Sequence, residues 1–256
     1  MPRDGASLAL GLDLAHALDP VAFAVDRLGF DPDPWQAALL RSTDRQIIEN
    51  ITRQGGKSTS AAAGALHTAF YDAPALVLLV SPSLRQSKEL FAKVTDFLKD
   101  LQPAEVLEED NKSSCTLANC SRIVSLPGDP KTIRGFSAPK KIIVDEAAYV
   151  EPQMFAALRP MLAVSNGQLT LISTPNGRQG YFYETWTHGE NWERFKLTAH
   201  ECPRISSEYL EDKRRELGPL LFTQEYECEF IDAESSAFNS AMIEAALVDD
   251  FEAFVQ

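Results

Sequence analysis

Nine residues, ITRQGGKST at 51–59, constrain this chain more than any other stretch. The apolar segment QIIENI (46–51) runs straight into them, and the Ala-rich segment STSAAAGALHTAFY (58–71) leaves them. A strand that turns through glycines into a helix points several backbone N–H groups and the helix N-terminus at one place, which makes an anion cradle. Gln54, Gly55 and Gly56 supply the loop backbone, Lys57 is placed to bridge the β- and γ-phosphates of a nucleotide, and the Ser58 hydroxyl to ligate Mg2+. Two departures stand out. Ile51 occupies the first glycine position of GxxxxGK[ST], and a second cation, Arg53, lies inside the loop.

A second segment, KIIVDE (141–146), reads as a buried strand that ends in two carboxylates. Burying such a pair is costly unless something uses it. Asp145 is placed to hold a metal through water, and Glu146 to polarise an attacking water as general base. Three further stretches carry candidates with a plainer reading beside each. ISTPNG (172–177) ends a strand in Ser173-Thr174, which can sense a γ-phosphate or form a simple turn. KTIRG (131–135) is a basic loop whose Arg134 can stabilise a transferring phosphoryl group, in cis or from a neighbouring subunit, or can be a solvated arginine. Gln36, after Trp35, can read an adenine edge through paired hydrogen bonds or sit on a helix surface.

Around these motifs, periodicity predicts helices over 6–18, 20–29, the WQAALLRS stretch, 83–101, 153–162, 206–217 and 219–230, the last two broken at Gly218-Pro219. Strands are expected over 75–81, 167–177 and 193–201, and a hairpin over 114–128 with Asn119 in its turn; 105–112 reads as a surface connection. Strands alternating with helices predict an α/β fold with a mostly parallel central sheet, and right-handed crossovers put the phosphate loop at the carboxyl end of that sheet.

Net charge bears on the partner. The chain carries −13, which argues against nucleic acid, but residues 216–256 hold ten acidic residues and no Lys or Arg. Residues 122–141 are locally basic, with Arg122, Lys131, Arg134, Lys140 and Lys141 against Asp129, so a phosphate-contacting face is compatible with the total. The four cysteines form no CxxC pair and the four histidines are scattered, which reads as reduced, structural thiols rather than a zinc site. No apolar run reaches the length of a membrane helix, and Asp4 and Asp13 interrupt the apolar start, so no signal peptide is read.

Taken in order, TRQGGKST, SPSLRQSKELF, TIRG, IIVDEAAYV and LTLISTPNG resemble the large terminase subunit of tailed bacteriophages over roughly residues 30–230. The Arg53-bearing loop without its first glycine is similar to that family's variant Walker A. The resemblance implies a P-loop NTPase of the ASCE, RecA-like class that uses ATP and Mg2+ to drive double-stranded DNA into a procapsid. It implies that Lys57, Ser58 and Thr59 bind phosphate and metal, that Asp145 is the Walker B metal residue and Glu146 the catalytic carboxylate. Ser173 and Thr174 become a coupling motif and Gln36 an adenine motif, with Arg53 the loop arginine and Arg134 the candidate arginine finger, although some members are thought to use the loop arginine instead. It also implies residues 1–178 as ATPase core with an N-terminal helical extension, 179–230 as a small lid subdomain, and 231–256 as an acidic linker toward a nuclease domain that this chain does not carry. Implied partners are DNA, the portal protein, the small terminase subunit and further copies of the chain in a ring, usually of five, in the host cytoplasm; the isolated domain can stand as a monomer. Two other readings fit the loop and the DE pair: a helicase-like translocase, which would need a second RecA-like domain, and a nucleotide-dependent assembly or clamp protein that hydrolyses slowly.

Overall fold

The apolar strands line up side by side in a computed structural model of the chain, which describes residues 3–99, 101, 106–111 and 113–232. Eight strands form one sheet in the order β3-β4-β5-β2-β6-β7-β1-β8. Their ranges are β1 Gln46–Ile51, β2 Leu76–Ser81, β3 Val106–Asn111, β4 Ser114–Leu117, β5 Arg122–Pro127, β6 Lys141–Asp145, β7 Gln168–Ser173 and β8 Glu193–Leu197. The six from β5 to β8 in that order run parallel. β3 and β4 add an antiparallel edge. Strands covered on both faces lose the need for polar alternation, which is why LVLLVS and KIIVD read as unbroken apolar runs.

Helices cover both faces and divide the core in two. On one face lie α2 (Pro20–Leu28), α4 (Lys57–Tyr71) and α5 (Leu84–Lys99), packed through Phe23, Leu66, Leu90, Phe91 and Val94. On the other lie α6 (Pro130–Ile133), α7 (Pro152–Ser165) and α8 (Gly180–His188), packed through Ile133, Met154, Phe155, Leu158 and Phe182. α4 can lie close to the sheet because Ala61, Ala62, Ala63, Ala65 and Ala69 give its buried face almost no side-chain bulk. α3 (Pro34–Arg41) begins with Pro34 at its first turn and a capping box between Asp33 and Gln36, which fixes where Gln36 points. α1 (Arg3–Leu18) precedes them, and α9 (Ser207–Tyr226) closes the described chain.

Several expectations change in detail. Residues 106–111, read as a surface connection, pair with β4 as an edge strand; LEED offers no apolar alternation, and edge pairing needs none. The segment 180–188, with no sequence assignment, is α8. The strand read over 193–201 stops at Leu197, where a capping box at Thr198 starts one 3-10 turn. The break at Gly218-Pro219 is present as a bend, with Gly218 at φ +74°, ψ 167°. β8 lies in the main sheet beside β1, so within 179–230 only residues 199–226 gather into a cluster of their own, around Leu210, Phe222 and Tyr226. The acidic segment beyond Asp232 lies outside the described residues.

Candidate active site

β1 leaves the sheet into the predicted loop, and its residues account for the missing first glycine. Ile51 is fully buried with Leu197 and Cys202. Its Cγ2 comes so close to Gly55 that a Cβ there would sit 2.6 Å away. The glycine requirement has moved from the first position to the fifth, where the backbone must pass over the Ile51 side chain. Gly56 caps α4 at φ +89°, and a Cβ on it would meet Gln36 Nε2 at 2.6 Å and Arg204 Nη2 at 2.9 Å. Both contacts are part of an outer clasp. Gln36 Nε2 donates to the Gly56 carbonyl at 3.1 Å, and Arg204 Nη2 donates to the Gly55 carbonyl at 2.6 Å while its other nitrogen pairs with the Asp33 carboxylate. The Gly55 N–H turns back to the Thr52 carbonyl at 3.2 Å, so the N–H groups available to an anion are those where the loop enters α4, at Gly56, Lys57 and Ser58.

Inside the loop, the first residue of α4 is Lys57, and its ammonium lies 3.4 Å from the Glu146 carboxylate at the end of β6. The phosphate-loop cation and the candidate base therefore share one space. Ser58 and Thr59 follow on the first turn of α4, half-buried. Asp145 is buried, and burial, reinforced by the adjacent Glu146, pushes its carboxyl up to about 6. Its Oδ1 accepts the Glu146 N–H at 3.0 Å. Glu146 itself takes the left-handed conformation at φ +51°, uncommon for a residue with a Cβ and concentrated at functional sites. That turn starts the 3-10 segment 147–149 and swings Tyr149 into the cleft.

The cleft above these groups has a volume of about 820 Å3. Arg53, Gln54, Lys57, Glu146 and Tyr149 line its floor, and Tyr209, Lys213, Glu225 and Tyr226 of α9 line the opposite wall. Arg53 does not reach toward Lys57. Its guanidinium grips Glu225 in two bonds, Nε to Oε2 at 2.5 Å and Nη2 to Oε1 at 3.2 Å, which raises its already high pKa. The Arg53 N–H and the Thr52 hydroxyl both donate to the Glu225 carbonyl. The 198–226 segment therefore holds the loop at two points, by Arg204 near its start and Glu225 near its end.

The remaining expected residues divide. Ser173 and Thr174 are buried at the end of β7 and do not line the cleft, which Tyr149 does. Gln36 is 1% exposed, with its carbonyl accepting the Asp33 N–H at 2.9 Å and its NH2 on Gly56. In this conformation it shapes the loop and presents no edge to a base. Arg134 ends α6 on the exposed surface, outside the lining of the cleft, with no ion pair among the described residues. Arg204 and Glu225 carry no motif signal in sequence, and Tyr149, within IIVDEAAYV, was given no role there. They lie in ECPRIS, in an acidic helix and after the DE pair, and only the fold brings them to the loop.

A mostly parallel sheet with a phosphate loop and a DE pair at its carboxyl edge invites comparison with solved proteins. The family "Terminase large subunit, T4likevirus-type, N-terminal" matches residues 50–245. The chain belongs to this terminase family. The large terminase subunit of Thermus phage G20c is 25% identical over 249 residues, and that of Escherichia phage T5 is 26% identical over 246, covering 83% and 90% of this chain. The chain spans about half the length of these curated relatives, 51% and 55%. Its fold superposes on the large terminase ATPase domain of Thermus phage P74-26 with a TM-score of 0.74 at 25% identity, covering 84% of this chain and all of that one. The large terminase of a thermophilic bacteriophage, solved in complex with ADP, matches at a TM-score of 0.65 and 12% identity, covering 78% of this chain and 54% of that one, which is a likeness of fold. This terminase chain thus corresponds to the N-terminal part of a large subunit and shares the fold of a large terminase ATPase domain, and none of its described helices is long and apolar enough to cross a membrane.

Proposed function

We propose that this domain hydrolyses ATP in the cleft between the β1 loop and α9, and that the strokes of α9 and its neighbours move double-stranded DNA toward a procapsid. The observation that carries the proposal is the 3.4 Å approach of Lys57 to Glu146 at the joint edge of β1 and β6. That contact puts a cation and a carboxylate in one space, which supports the reading that Lys57 binds phosphate and Glu146 acts as base at the same bound nucleotide. The loop N–H groups and Lys57 hold the triphosphate. Glu146, kept in place by its left-handed turn, takes the proton of the attacking water.

The donor set suits Mg2+. Ser58 offers a hydroxyl and Asp145 a buried carboxylate that makes no salt bridge among the described residues, both hard oxygen donors of the kind that ion takes together with waters and phosphate oxygens. The metal neutralises charge on the phosphates when bound. Arg53 and Arg134 divide the remaining charge work. Arg53 sits at the cleft within its own subunit, and Arg134, exposed on α6, serves the cleft of the next subunit in a ring. Arg204 and Glu225 tie the loop to the 198–226 segment, which acts as the lid, and Ser173-Thr174 link the cleft to the lid through Tyr149. Portal protein, small terminase subunit and ring partners act on the assembled subunit in the host cytoplasm.

The deciding experiment measures ATPase rate per subunit against protein concentration, with and without duplex DNA. A rate that climbs with concentration and with DNA supports a site completed by a neighbour. A rate per subunit that stays flat over the whole range, with Glu146→Gln as active as wild type, overturns the reading.

A further inference from the structure

Below the catalytic edge, the three strands that carry the motifs turn polar side chains to the same face. Glu49 of β1 and Asp145 of β6 both pair with Ile172 of β7, from opposite sides. Directly opposed residues in parallel strands share a face, and alternation along each strand then puts Thr170 and Lys141 on that face too, under α4. Glu49, Thr170, Lys141 and Gln168 line a small pocket of about 20 Å3, flanked by Leu39, Leu40, Ala61 and Gly64. Both carboxyl oxygens of Glu49 and the Thr170 hydroxyl are buried without a hydrogen-bond partner among the described residues. Lys141 enters from the amino end of the sheet, and Gly64 makes room for it: a Cβ there would lie 3.3 Å from the ammonium.

Buried polar atoms left unpaired are rare in folded proteins, and a carboxyl with both oxygens unpaired is rarer still. Cavities that stay dry are lined by apolar groups, and one of this size with several polar partners suits one water. A metal cation is disfavoured because Lys141 already supplies the positive charge.

We propose that this cavity is the binding site of a single ordered water that bridges Glu49, Thr170 and Lys141, and that Glu49 is through it a positioning residue for ATP hydrolysis. The water links β1, which ends in the phosphate loop, to β6 and β7, which end in Asp145-Glu146 and Ser173-Thr174. Glu49 also acts electrostatically on Lys57 and Asp145. Burial pushes its carboxyl up, to about 8, against the pull of Lys141 and Lys57, and burial lowers Lys141 in turn. The brace sets the relative placement of Lys57 and Glu146, whereas the outer clasp of Gln36 and Arg204 sets the shape of the loop. Loss of the brace is therefore read in the chemical step more than in nucleotide binding.

The test pairs a high-resolution crystal structure of this domain with kinetics of Glu49→Gln and Glu49→Leu. The expected structure has one water within hydrogen-bond distance of Glu49 and Thr170, absent in the Leu variant. Removing one member of a buried charged pair is destabilising, and Glu49→Leu leaves Lys141 buried without its carboxylate, so this variant is expected to unfold several degrees earlier than wild type. Its kcat is expected to fall about tenfold with a much smaller change in KM for ATP, as a small misplacement of reacting groups requires. Glu49→Gln, which keeps the shape and hydrogen bonding, is expected to retain most of kcat, and it serves if the Leu variant does not fold. A dry cavity overturns the water site. Wild-type kcat in a folded Glu49→Leu, or equal loss of kcat in both variants, overturns the positioning role. The functional part rests on the ATPase reading, but the crystallographic arm does not: a domain that holds the water and hydrolyses nothing would sink the ATPase reading alone.

Discussion

Arg53 and Arg134 each sit on a loop at the carboxyl edge of the sheet, and the fold treats them in opposite ways. Arg53 lies in the β1 loop, where Glu225 grips it in two bonds and Arg204 holds the backbone two residues on. Arg134 lies beyond β5, exposed at the end of one helical turn, with no ion pair among the described residues. On the proposed reading, the gripped guanidinium acts within its own subunit and the exposed one serves a neighbour, and the division comes from what the fold puts beside each arginine.

The difference breaks most sharply at Arg134. Arg134→Ala is expected to leave the thermal midpoint unchanged, because that side chain is exposed and makes no hydrogen bond or ion pair among the described residues. Hydrolysis under assembling conditions is expected to fall by roughly a thousandfold, the low end for an arginine finger. Mixing it with inactive Glu146→Ala subunits should recover activity, since each then supplies what the other lacks. If assembly is intact and no mixture recovers activity, the external role of Arg134 is wrong.

The gripped loop should fail differently, through its shape. At Gly56→Ala the new Cβ would press on Gln36 and Arg204 at a backbone angle that disfavours any side chain. Nucleotide binding, measured with a fluorescent ATP analogue, is expected to weaken by about a hundredfold, roughly 2–3 kcal/mol of strain and lost contact. Unchanged binding would show that the clasp does not set the loop. Arg204→Ala comes next. It strips the Gly55 carbonyl and the Asp33 carboxylate of a shared charged donor, worth about 1.5 kcal/mol or more, so KM for ATP should rise about tenfold. If Arg204→Lys restores the wild-type KM, the two-pronged geometry is not what matters.

This contrast also explains what could be read from the sequence. The sheet core, the loop and the DE pair were legible because each depends on neighbours along the chain: an apolar run, a glycine turn, a strand end. The α/β class and the phosphate loop at the carboxyl edge of the sheet follow from them. What sits opposite the loop was not legible. Glu225 is one acid among ten in residues 216–256, and Arg204 one of many basic residues. Their meaning depends on contacts 149 to 172 positions apart. Gln36 shows the limit from the other side. Its position before β1 was readable, but the capping box that aims its amide at Gly56 belongs to the local turn of α3. The edge strand 106–111 escaped because an edge pairs through its backbone and leaves little mark on side-chain pattern.

The smallest expected effect is at Glu225, and it sharpens the contrast most finely. Glu225→Gln keeps the length of the side chain and one acceptor but removes the charge that holds Arg53. Arg53 is more than half exposed, so solvent screens the pair and the loss of stability should be about 1 kcal/mol or less, a shift of a few degrees in the midpoint. Released from Glu225, the guanidinium is free to face the triphosphate in the same cleft, so ATP binding should tighten by up to about fivefold, the binding equivalent of that same energy. Arg134 gives the control: no acidic partner holds it among the described residues, so no single carboxylate substitution within the subunit should release it in this way. Weaker ATP binding in Glu225→Gln, with the fold intact, would mean that the grip on Arg53 orders the loop for nucleotide rather than competing with it, and the internal arginine would then be structural.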